Sequence, residues 1–162
     1  MIQALTNNDP HIVQIKPAVA LERVFGLDFN AILNILGPLT EPQALYFFKP
    51  LVNTLILMHM ANLHVLDIKA ENLICSVKRG RVVIQYLDFG FSHIGEAAAI
   101  INSFWRGSEP YMAPEIQERR PYRAIEVDLF ALGVLLYSMV TLEYPFQQQL
   151  AHDYNFNLIR NG

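Results

Sequence analysis

Apolar residues recur with a helical period in some stretches of this chain and cluster in short runs in others, and that contrast sets its predicted elements. After Gly26, the positions Phe29, Ile32, Leu33 and Ile35 mark one face of a helix that Gly37-Pro38 stops. Thr40, followed by Gln43, has the form of a capping box, and Leu45, Phe48, Val52, Leu55 and Ile56 extend an apolar face to Met60. Pro50 lies inside this long helix, where it removes a backbone hydrogen bond and crowds the Tyr46 carbonyl at roughly 3 kcal/mol, so a kink is expected. Residues 72–77 and 81–87 are rich in Val, Ile and Leu around Lys78-Arg79-Gly80, the pattern of a hairpin with glycine at its turn. Residues 128–141 are apolar on nearly every side, as in a helix at the centre of a core. Two short strands are expected at residues 11–15 and 18–21, separated by Lys16-Pro17, and residues 91–112 read as an extended loop with Gly95, Gly107 and Pro110.

Length and charge narrow the picture. A chain of 162 residues buries one ordinary core, so a single domain is expected. A net charge of −3 gives no basic field for nucleic acid or an anionic membrane, so neither is expected as a partner. Cys75 is the only cysteine, which leaves no internal disulfide, suits a reducing compartment and makes the cytoplasm the expected location. It falls in a strand and reads as a small core residue rather than a nucleophile. No leader-like segment opens the chain, and the apolar run at residues 129–140 is shorter than the ~20 residues a bilayer requires. The hydrophobic share of 52% is high, and some of that surface is expected to face a neighbour.

The chemistry lies in Asp67-Ile68-Lys69-Ala70-Glu71-Asn72, followed by Asp88-Phe89-Gly90 and Ala113-Pro114-Glu115. Taken singly, Asp67, Lys69, Asn72 and Asp88 are ordinary residues of solvated turns. Together they supply an acid to orient a hydroxyl, a cation beside it, and an amide and a carboxylate for a divalent ion, the set that phosphoryl transfer requires. The hairpin puts Asn72 just before its first strand and Asp88 just after its second, so both meet at one rim.

In these motifs the chain resembles the eukaryotic protein kinase family, serine/threonine type. The resemblance implies an α+β protein-kinase-like fold that is mostly the helical lower lobe with a small β hairpin, the upper lobe being largely missing. Residues 1–21 would be a remnant of that upper lobe, 22–26 the hinge, and 27–162 an incomplete lower lobe. By the same resemblance, ATP and Mg2+ are the cofactors and a protein Ser/Thr hydroxyl is the substrate. Asp67 would be the acid-base residue and Lys69 would neutralise the transferring phosphoryl group. Asn72 and Asp88 would hold magnesium. Glu22 and Val24 would bond adenine through their backbone, with Leu21 at the rear of the pocket, Asp28 near the ribose and Ile74 beneath the base. Glu71 joins the nucleotide-site residues, and with Asp28 it leaves room for a basic residue before the target hydroxyl. Phe89 would pack beneath the site, residues 107–115 would dock substrate, and Asp128 would cap the backbone of the catalytic loop. Phe91-Ser92 and residues 127–133 look like calmodulin-dependent-kinase-like enzymes of ciliates and other protists.

The chain also departs from that family. It contains no Gly-x-Gly-x-x-Gly and no lysine in a Val-Ala-Ile-Lys strand. Val65-Leu66-Asp67 replaces His-Arg-Asp, so the arginine that receives an activation-loop phosphate is absent, and Ser103 and Ser108 lack a docking charge. Glu115 is expected to lack a buried partner at a cost of about 3–5 kcal/mol, unless Arg119, Arg120 or Arg123 supplies one. These features predict a truncated kinase inactive on its own, or a degenerate one that serves as a protein-binding module. His59 and His64, near Asp67, read as surface or capping residues rather than metal ligands.

Overall fold

The computed structural model describes residues 24–96, 98–102, 106–146 and 152–161. The strands expected at residues 11–15 and 18–21, and with them Leu21 and Glu22, lie outside these residues. Strand β1 (Leu27–Asp28) runs into helix α1 (Phe29–Leu36), because Asp28 caps it by accepting from Ala31 N at 2.8 Å. Helix α2 (Glu41–Met60) starts from the predicted capping box, with Gln43 Oε1 accepting from Thr40 N at 2.9 Å. Strand β2 (Leu63–His64) follows, then β3 (Leu73–Lys78) and β4 (Arg81–Tyr86). Strands β5 (His93–Ile94) and β6 (Ile100–Ile101), helix α3 (Pro114–Gln117), strand β7 (Tyr122–Arg123), and helices α4 (Ala124–Thr141) and α5 (Tyr154–Asn161) complete the order.

The hairpin is the frame of the site. Its antiparallel register runs from Leu73↔Tyr86 to Lys78↔Arg81. Arg79 and Gly80 turn it with φ of 53° and 74°, the two left-handed positions that match a tight hairpin's twist. Strand β1 adds to the other edge of β3, pairing Leu27 with Cys75 and Asp28 with Ile74. That approach needs Gly26, since a Cβ there would lie 2.1 Å from the Cys75 carbonyl oxygen.

Helix α4 joins two apolar clusters. One holds Phe29, Leu51, Leu55, Val65, Leu73 and Leu135; the other holds Leu66, Met112, Ile116, Tyr122 and Val127. The helix starts at Ala124, one turn before the predicted residue 128, so Asp128 lies inside it and is fully buried. By length and composition α4 is apolar enough to cross a membrane, yet half of it is buried within the protein as a core helix.

Two other expectations change. Ala44, Leu51 and Leu55 form the buried line of α2, while Leu45 and Ile56 are 53% and 50% exposed. Apolar residues, Leu45, Tyr46, Ile56 and Leu57, also stand on its exposed side, so its period could not single out the packed face. Pro50 lies inside the continuous helix α2 as expected, on an exposed position where water can serve the Tyr46 carbonyl it leaves without a donor. Finally, the expected loop at residues 91–112 contains two short ladders, β5 with β2 and β6 with β7.

Candidate active site

The segment between β2 and β3 is hung from α4. One buried carboxylate, Asp128, accepts from Val65 N at 2.9 Å and Leu66 N at 2.7 Å, and meets His59 Nε2 at 2.8 Å. Leu66 takes φ 60°, a left-handed conformation that costs a leucine roughly 1–2 kcal/mol, and the bond to its N–H helps to hold it there. The turn at Leu66 leads into Asp67, which is 3% exposed.

Burial of that carboxylate is balanced by its donors. Asp67 Oδ2 accepts from Asn72 Nδ2 at 2.8 Å and lies 2.9 Å from Lys69 Nζ. Its Oδ1 accepts from Ser108 Oγ at 3.0 Å, and Lys69 Nζ donates to the same hydroxyl at 2.6 Å. A buried carboxylate ringed by a cation and hydrogen-bond donors is held in one orientation. Gly107 makes the approach of Ser108 possible, because its φ is 99° and a Cβ would lie 3.0 Å from the Leu66 carbonyl oxygen.

Asn72 Nδ2 also donates to the Asp67 carbonyl oxygen at 3.0 Å, so the amide's nitrogen side is committed. Its carbonyl oxygen is the remaining donor atom for a hard cation. Leu87 N donates to Asn72 O at 2.7 Å, which continues the hairpin ladder and stands Asp88 beside Asn72 at one end of it. Asp88 has φ 56°, is exposed, and spends Oδ1 on Gly90 N at 3.0 Å. An amide oxygen and a carboxylate with room to spare fit Mg2+.

A protein-family profile described as "Protein kinase domain" matches residues 7–161. The chain belongs to the eukaryotic serine/threonine protein kinase family. It is 35% identical over 118 residues to "Serine/threonine-protein kinase atg1" of Dictyostelium discoideum, covering 73% of this chain and 17% of that protein. Over 126 residues it is 31% identical to "Mitosis inducer protein kinase cdr1" of Schizosaccharomyces pombe, covering 78% and 21%. A "NUAK family SNF1-like kinase 2" of Homo sapiens is 30% identical over 165 residues, covering 96% and 25%. The chain thus spans a quarter or less of the length of these kinases.

Among the predicted kinase-site residues, Asp67, Lys69 and Asn72 meet directly, and Asp88 stands at the same end of the hairpin as Asn72. Asp28 and Ile74 pair across β1 and β3, with Asp28 using one oxygen as a helix cap. Val24 is half-buried ahead of β1, and Glu71 is exposed in the 3-10 turn at Ala70–Asn72. Phe89 does not pack beneath the site. It is 43% exposed, because a local turn in which its carbonyl accepts from Ser92 N and Oγ holds it at the surface.

Ser108 is the residue whose role was missed in the sequence, where it figured as part of the docking loop at residues 107–115 and as a phosphate acceptor without a docking charge, not as a partner of Asp67. The structure puts Lys69 on its hydroxyl, and the signal was its place just after Gly107, ahead of Ala113-Pro114-Glu115. Glu115 has no ion pair among the described residues, while Arg120 pairs with Glu118 and Arg123 with Glu126. Cys75 is buried and its thiol is pushed up to about 11 by burial, which makes it a poor nucleophile. His64, expected at the surface, is fully buried, because β5 and α4 close over it.

Proposed function

We propose that this kinase transfers the γ-phosphoryl group of Mg-ATP to a serine or threonine hydroxyl of a protein substrate. The observation that supports this reading most is the single cluster in which Asp67 is held by Lys69, Asn72 and Ser108. Asp67 would orient the acceptor hydroxyl and take up its proton, since its carboxylate is fixed yet borders the substrate-docking loop. Lys69 would place positive charge beside the transferring group. Asn72 and Asp88 would hold magnesium, which supplies charge neutralisation on the phosphates when bound. The nucleotide would lie over Ile74, with Asp28 and Glu71 nearby and Leu21, Glu22 and Val24 at the hinge. A lone buried cysteine suits work in the cytoplasm.

The 162 residues contain no Gly-rich phosphate loop and no lysine strand, so on their own they are expected to turn over ATP negligibly. Leu66 in place of an arginine, and Phe89 at the surface, favour a second reading in which the chain docks partners without catalysis. The experiment is transfer of labelled γ-phosphoryl from ATP by a protein that joins this chain to a phosphate loop and lysine strand. Serine peptides with a preceding arginine should be labelled and their tyrosine counterparts not. Absence of any transfer would leave the docking reading, whereas saturable turnover by the 162 residues alone would remove it.

A further inference from the structure

His59, His64 and Asp128 each offer one ligand atom within 4.8 Å of the other two, behind the loop that bears Asp67. His64 is fully buried, and its Nε2 faces the Gly95 carbonyl oxygen at 3.1 Å. A carbonyl only accepts, so Nε2 carries the ring proton and Nδ1 is left as a lone pair. That Nδ1 has no hydrogen-bond partner among the described residues. Buried polar atoms are rarely left in this state, because an unsatisfied one costs about 1–3 kcal/mol. A backbone carbonyl fixing the far nitrogen of an imidazole is also the usual outer support of a metal-bound histidine.

We propose that His59, His64 and Asp128 form a binding site for a zinc-class divalent cation, separate from the magnesium site. Two imidazoles and one carboxylate match the donors of zinc sites that keep an open fourth position, and magnesium disfavours such nitrogen ligands. The His59–Asp128 edge is already 2.8 Å, against about 3.4 Å for a tetrahedron with ~2.1 Å bonds. The cation would enter that edge as His59 shifts its ring proton to Nδ1, and the 4.8 Å spread would close by rotation of the side chains. Burial, first of all, lowers the His64 pKa, which keeps the ring in its neutral, metal-binding form at neutral pH. Asp128 also carries the N–H groups of Val65 and Leu66, so the ion would bear on the loop ahead of Asp67. None of this depends on phosphoryl transfer.

The test is calorimetric titration of the metal-free 162-residue chain with Zn2+, repeated with Co2+ to read ligand-field absorption. One ion per chain is expected, with tetrahedral cobalt bands and a raised melting temperature. His64→Leu should weaken binding by about 100-fold or more while leaving the fold intact. If circular dichroism shows that His64→Leu does not fold, His59→Gln, which can still donate to Asp128, should show the same loss. His152→Ala, at an exposed position, should bind as the wild type does. Absence of stoichiometric binding, unchanged affinity in His64→Leu or in the His59→Gln variant that replaces it, or loss in His152→Ala would overturn the proposal.

Discussion

Ser108 and Lys69 bracket the two oxygens of Asp67, and each contact does a separate job. Lys69 balances charge, whereas the Ser108 hydroxyl links the docking loop to the acid by accepting from one side and donating to the other. Ser108→Ala should therefore lower kcat in the phosphotransfer assay by about tenfold, with a change in stability of only ~1 kcal/mol by denaturant melts. An unchanged kcat would show that the hydroxyl is incidental. His64 makes a second prediction at this scale, for metal-free protein. Its folded pKa lies below the usual 6.5, chiefly through burial, so around and below that pH the unfolded chain binds the proton more readily. The stability this residue contributes is thus present above pH 6.5 and is lost as pH falls from there through the folded pKa. The melting temperature should drop over that window, and His64→Leu should flatten the drop. Asp67, Lys69, Asn72 and Asp88 were legible because their spacing is local to one loop and one hairpin. The burial of His64 and the reach of Ser108 were not, since both arise from strands and loops paired across long separations.

At the scale of elements, the caps and the turns were the readable part. The capping box at Thr40 and Gln43 and the Arg79–Gly80 turn rest on side-chain and backbone chemistry within a few residues. The buried face of α2 and the first turn of α4 depend on what packs against them, and apolar residues on the exposed sides of both helices blur that mark. Gly26 gives the sharpest element-level prediction. A Cβ at 2.1 Å from the Cys75 carbonyl oxygen cannot be absorbed without moving β1 off β3, which carries Asp28 and Ile74 with it. Gly26→Ala should cost about 1–3 kcal/mol in thermal or denaturant melts and weaken nucleotide binding together with stability. A variant as stable as the wild type would show that β1 is not held in this register.

Across the whole molecule, the high apolar share has a visible destination. Leu129, Tyr137 and Val140 form an exposed line along α4, and Met60, Ile94 and Phe25 are also open to solvent. Exposed apolar surface of this kind drives association in water. The isolated 162 residues should accordingly show a mass by light scattering that rises with concentration, and a constant monomer mass would contradict this. The central claim is that one fixed carboxylate, Asp67, serves the chemical step and not nucleotide binding. In a protein that joins this chain to a phosphate loop and lysine strand, Asp67→Asn keeps an acceptor and a donor for Asn72 and Ser108 but removes the proposed base. The most direct measurement is kcat against the Kd for Mg-ATP in this variant: the account predicts kcat lower by about 10²–10⁴-fold with Kd unchanged. An unchanged kcat, or an equal loss of nucleotide binding, would contradict it.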